Sequence, residues 1–169
     1  MKKNAGNFVS WGSVLVVFIS ILTANPLFIV LGILIASLMD MFDGKLARKY
    51  GDNTDYSRTF GELTDSLCDV INFGVTPSLL LTIVIFEGTY PSLLIASSFL
   101  FTMASIFRLA RFSATNTHKK IEYYQGLPIT VAGPVLAVIS IVFPSEFIIF
   151  TASIILALAM VSNLKVKKL

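Results

Sequence analysis

Six apolar runs, each about as long as a helix needs to cross a bilayer, take up most of this sequence. They extend from Phe8 to Ala24, Pro26 to Phe42, Gly61 to Phe86, Pro91 to Phe112, Leu127 to Phe143 and Ser145 to Ser162. A span takes roughly 20 apolar residues. The runs are continuously apolar, whereas the strands of a membrane barrel alternate, so helices are the way for this chain to satisfy its backbone in lipid. Only 14% of the residues are charged, against about a quarter in soluble domains. The expected fold is all-α, one domain over residues 1–169 with six transmembrane helices. Met1-Lys2-Lys3 and the first run have the look of a signal peptide, but no small-residue cleavage site leads into a soluble domain, so a first span is expected instead.

Proline and glycine punctuate the runs. Asn25-Pro26, Glu87 to Pro91 and Pro144-Ser145-Glu146 read as tight turns. Lys45 to Phe60 and Ser113 to Gly126 read as longer polar loops. Every one of the 13 Lys and Arg residues falls at one end of such a six-span arrangement: Lys2 and Lys3, Lys45 to Arg58, Arg108 to Lys120, and Lys165 to Lys168. By the positive-inside rule that end is cytoplasmic, and it holds both termini. The expected location is the cell membrane, multi-pass. The net charge of +3 is then directed at lipid headgroups and phosphates, and no nucleic-acid partner is expected.

The aspartates all lie between residues 40 and 69. Asp40 and Asp43 stand at i and i+3 near the cytoplasmic end of the second run. Asp65 and Asp69 stand at i and i+4 near the start of the third. Each pair shares one face of its helix, and the short connection makes the two helices antiparallel neighbours. Four carboxylates at one depth need cations to stay ionised. Hard oxygen ligands suit magnesium or manganese, with calcium admitted by the same donors, and two ions would fit four carboxylates and a phosphate substrate. The plainer alternative is that they cap helices. The single Cys68 and single His118 exclude a cysteine zinc cluster and a histidine site; Cys68 faces away from the aspartate stripe and reads as packing.

The run from Asp40 to Asp69 resembles the signature D-x2-D-G-x2-A-R-x8-G-x3-D-x3-D of the CDP-alcohol phosphotransferase family. Asp40, Asp43, Gly44, Ala47, Arg48, Gly61, Asp65 and Asp69 match its fixed positions, with 12 residues between Arg48 and Gly61 in place of the usual eight or so. A loop accommodates that difference at little cost. The resemblance implies displacement of CMP from a CDP-lipid by a second alcohol. It implies Asp40, Asp43 and Asp65 as metal ligands, and Asp69 as general base that also touches a metal. Gly44, Ala47, Arg48 and the loop hydroxyl of Thr54 would bind the CDP-lipid. Asn7 and Ser10 resemble the family's Asn-x-x-Thr at the start of the first span, which implies a part in nucleotide binding. A homodimer is expected on the resemblance alone.

Residues 65–78 (DSLCDVINFGVTPS), 107–113 (FRLARFS) and 123–130 (YYQGLPIT) resemble the phosphatidylserine synthase branch of that family. Asn72 and Ser113 depart from it, standing where serine and asparagine are frequent. The resemblance implies L-serine as acceptor. Arg108 and Arg111, at i and i+3, are placed to hold the serine carboxylate or lipid phosphates through forked hydrogen bonds; the alternative is that they anchor in headgroups. Glycerol 3-phosphate and inositol or its phosphate are the competing acceptors. A divalent-cation transporter is the remote alternative, disfavoured because the carboxylates lie at one end of the spans only.

Overall fold

The computed structural model describes residues 5–50, 55–85, 90–116, 123–163 and 165–167. Among them the helices are α1 (Ala5–Leu22), α2 (Pro26–Tyr50), α3 (Asp55–Asp69), α4 (Thr76–Ile85), α5 (Pro91–Asn116), α6 (Ile129–Val142) and α7 (Glu146–Val161). A π-helical turn, Val70–Val75, joins α3 to α4 without a break, so the helices form six rods. Two stretches, Thr59–Ile83 and Pro91–Ala114, are long and apolar enough to cross a membrane. Two short strands, β1 (Tyr123–Gln125) and β2 (Lys165–Lys167), pair antiparallel with Gln125 opposite Lys165.

The local chemistry explains the turns. Asn25 Oδ1 accepts a 3.0 Å bond from Leu27 N–H, and Pro26 takes the first helical position, where a missing N–H costs nothing. Just before α5, Tyr90 N–H donates to Glu146 Oε2 at 2.9 Å, which ties the start of α5 to the start of α7.

One expectation needs correction. The stretch from Lys45 onward was read as a polar loop, yet α2 continues through Tyr50 and α3 begins at Asp55. Lys-Leu-Ala-Arg-Lys is made of good helix formers, so the helix outlasts its apolar stretch. Asp43, Gly44, Ala47 and Arg48 therefore belong to the last turns of α2.

Packing is small-residue packing. Ser13, Ser20, Ser97, Ser105, Ser140 and Ser153 are buried, and each hydroxyl donates to a carbonyl three or four residues earlier in its own helix. Their polarity is consumed locally while their size lets helices approach. Ile29, Ile33, Phe73, Leu80, Phe101, Leu136 and Met160 fill the interior. The large apolar residues also cover the outside: Leu22 is 71% and Phe147 77% exposed. An apolar surface of that extent calls for apolar surroundings.

Candidate metal centre

α2 and α3 bring three carboxylates together. Asp40 from α2 and Asp65 and Asp69 from α3 each offer one carboxylate oxygen, and these atoms lie within 4.8 Å of one another. The i, i+4 spacing places Asp65 and Asp69 on one stripe, and the antiparallel crossing brings Asp40 against it. All three residues are half-buried, accessible on one side and screened from bulk water on the other. Oxygens at this separation match a hard divalent cation, whose metal–oxygen distances are about 2.0–2.6 Å. The donor set therefore fits the expected ions.

The remaining expected residues divide into three groups. Asp43 lies one helical turn beyond Asp40 in α2, followed by Gly44, Ala47 and Arg48; their backbone is helical, and their side chains lie outside the described residues. So does the side chain of Asn7 in α1, and Thr54 and His118 fall outside altogether. Ser10 is buried on α1, where its carbonyl accepts a 2.7 Å bond from Ser13 Oγ. Cys68 is buried as well.

The two arginines of α5 do different things. Arg108 is 6% exposed, with its guanidinium 5.5 Å from the centre of the Phe112 ring. α5 runs against the π-turn, with Ser105 in contact range of Gly74; Arg108, one turn closer to the carboxylate end, comes level with the start of that turn. Arg111 is committed elsewhere. Its Nη1 donates to Val161 O at 3.0 Å, and its Nη2 donates to Ser162 O at 3.0 Å and Gln125 O at 3.1 Å. Both terminal nitrogens of Arg111 are thus hydrogen-bonded to backbone carbonyls at the end of α7 and beside β1.

Two features were not anticipated. The π-turn is closed by Thr76, whose N–H and Oγ1 both donate to Ile71 O, the latter at 2.8 Å. Asn72, within that turn and three residues past Asp69, donates from Nδ2 to Ser13 Oγ of α1 at 2.8 Å. It stands at i+7 and i+3 from Asp65 and Asp69, a helical spacing in the sequence that the π-turn widens in the structure.

Comparison with known proteins agrees with this geometry. The model of the CDP-alcohol phosphatidyltransferase family matches residues 4–164. The CDP-diacylglycerol–serine O-phosphatidyltransferase of Bacillus subtilis is 30% identical over 160 residues, covering 95% of this chain and 84% of its own. The enzyme of the same name from Methanocaldococcus jannaschii is 32% identical over 136 residues, 80% of this chain and 62% of its own. The archaetidylserine synthase of Methanothermobacter thermautotrophicus is 38% identical over 99 residues, 59% of this chain and 40% of its own. The chain thus spans less than two thirds of the length of these two archaeal relatives. With the family match running nearly end to end, the chain belongs to the CDP-alcohol phosphatidyltransferase family.

Proposed function

We propose that this protein transfers a phosphatidyl-type group from a CDP-lipid to the hydroxyl of L-serine, releasing CMP, at a site on the cytoplasmic side of a six-span membrane protein. The observation that carries the reading is the convergence of Asp40, Asp65 and Asp69 within 4.8 Å, in a chain whose relatives are named for serine transfer. Basic residues gathered at the same end support the cytoplasmic orientation.

The chemistry follows from charge. A pyrophosphate repels a nucleophile until its negative charge is offset. Divalent ions held by Asp40, Asp43, Asp65 and Asp69 would supply that offset and polarise the reacting phosphorus. Arg48 adds a fixed positive charge, and Gly44 and Ala47 leave room for the nucleotide beside α2. Asn7 and Ser10 of α1 and the hydroxyl of Thr54 complete the CDP-lipid site. Asp69 takes the proton from the serine hydroxyl. The serine oxygen then bonds to the phosphorus that carries the lipid alcohol, the bond from that phosphorus to CMP breaks, and CMP leaves. Arg108, buried and cationic, receives the serine carboxylate. A homodimer is part of the same reading.

The archaetidylserine synthase match is the reason to test an ether-linked CDP-archaeol beside CDP-diacylglycerol as donor. The test is CMP release by the purified protein with CDP-diacylglycerol or CDP-archaeol, Mn2+ or Mg2+, and one acceptor at a time. Release with serine alone is expected. Release with glycerol 3-phosphate or inositol instead keeps the carboxylate chemistry and removes serine. No metal-dependent release with either donor overturns the reading.

A further inference from the structure

The contact between Asn72 and Ser13 is built in a way that stability alone does not account for. Ser13 Oγ gives its proton to Ser10 O at 2.7 Å. It can therefore only accept from Asn72, which fixes the amide with Nδ2 toward α1 at 2.8 Å. Asn72 is 2% exposed, and its Oδ1 meets no hydrogen-bond donor among the described residues. A buried amide oxygen left in that state costs free energy. Replacing both members of such a contact by apolar groups of similar shape is close to neutral, or stabilising.

Position supplies the reason to keep it. Asn72 lies three residues past Asp69, inside the wide π-turn closed by Thr76. That turn is held from the other side, because Gly133 of α6 sits so close that a Cβ there would come within 2.5 Å of Phe73 O. The carboxylate helix is thus backed by α6, and Asn72 gives it a polar link to α1. The link leads through Ser13 to Ser10, one turn along α1 toward Asn7.

We propose that Asn72 is a positioning residue, acting through Ser13 to fix the depth and rotation of α1 against the aspartate helix, so that the Asn7 and Ser10 face meets the nucleotide of the CDP-lipid at a set distance from the carboxylates. The inference rests on the reading of α1 as part of the CDP-lipid site. An apolar contact at this place would hold α1 just as firmly, but it would not select one register along the helix. Directional hydrogen bonds do.

The experiment compares the wild type with the double variant Asn72→Leu/Ser13→Ala, which removes every polar atom of the side-chain contact, and with Ser13→Ala alone. Two quantities are read in detergent: the thermal midpoint, and the affinity for CDP-diacylglycerol by titration calorimetry without acceptor. The double variant is expected to melt at or above the wild-type temperature while binding CDP-diacylglycerol about tenfold or more weakly, since small misplacements of binding groups carry penalties of that order. Ser13→Ala alone should weaken binding in the same direction. A double variant that binds as tightly as wild type overturns the proposal. One that fails to fold, or melts well below wild type, also overturns it, because the contact is then a stability element. Wild-type protein that binds no CDP-lipid refutes the substrate reading itself, an outcome distinct from either.

Discussion

Arg111 Nη2 donates a 3.0 Å hydrogen bond to the carbonyl of Ser162, immediately past the end of α7. The same guanidinium reaches Val161 O and Gln125 O. The last carbonyls of a helix have no intrahelical donor, and a cation there also meets the negative end of the helix dipole. One side chain of α5 thereby caps α7 and fixes the strand that leads into α6. Three rods are joined at the end of the bundle that holds the carboxylates.

This gives Arg111 and Arg108 separable phenotypes. Arg111→Lys keeps the charge but loses the fork, so fewer carbonyls are satisfied. It should destabilise the protein by about 1–3 kcal/mol, seen as a lower thermal midpoint, with the serine KM changed little. Arg108→Gln should raise the serine KM at least about tenfold, a loss of roughly 1.4 kcal/mol in binding. Steady-state CMP release across serine concentrations, beside a melting curve for each variant, separates them. An unchanged serine KM in Arg108→Gln removes Arg108 from the acceptor site.

Metal removal makes the second prediction. With Asp40, Asp65 and Asp69 within 4.8 Å, EDTA should abolish turnover and Mn2+ or Mg2+ should restore it. Asp40→Asn should lower Mn2+ affinity by at least about tenfold, read by loss of the free-ion electron paramagnetic resonance signal. Turnover that survives exhaustive chelation would refute the metal assignment.

Asp69→Asn should reduce turnover by about 10²–10⁴-fold, the range for loss of a general base, while CDP-diacylglycerol binding is largely kept. Near-normal turnover in this variant takes the general-base role away from Asp69.

What could be read from the sequence was whatever depends on local periodicity. Apolar length marks six helical stretches, and the i, i+3 and i, i+4 spacings set Asp40 and Asp43 on one helix face and Asp65 and Asp69 on another; Asp40, Asp65 and Asp69 are found together among the described side chains. Hydropathy records where an apolar stretch ends, though, not where a helix stops, so the continuation of α2 to Tyr50 leaves no mark in it. The π-turn at Val70–Val75 has no composition of its own; Thr76 closing it and Gly133 backing it become visible only when α6 is packed alongside. The role of Arg111 was hidden for the same reason, because its carbonyl partners lie 14 to 51 residues away in sequence.

The junction under Arg111 depends on a residue that no polar substitution scan would single out. Gly126 follows β1 with φ at +78°, a left-handed conformation that costs an L side chain about 1–2 kcal/mol. A Cβ at this position would also run into the carbonyl of Met160 and stand 3.0 Å from Arg111 Nη2. Leu127 N–H, next along, donates to Ala159 O at 3.0 Å, so the segment has no room to retreat from α7. Gly126→Ala should therefore displace the strand from the helix end, cost Arg111 its bond to Gln125, and destabilise the protein by more than the φ term alone, about 2–4 kcal/mol. Combining Gly126→Ala with Arg111→Lys should cost less than the sum of the two, because both break one junction. Chemical denaturation of the two single variants and the double variant in the same detergent measures that coupling. Strict additivity would show that the strand and the guanidinium hold the end of α7 independently.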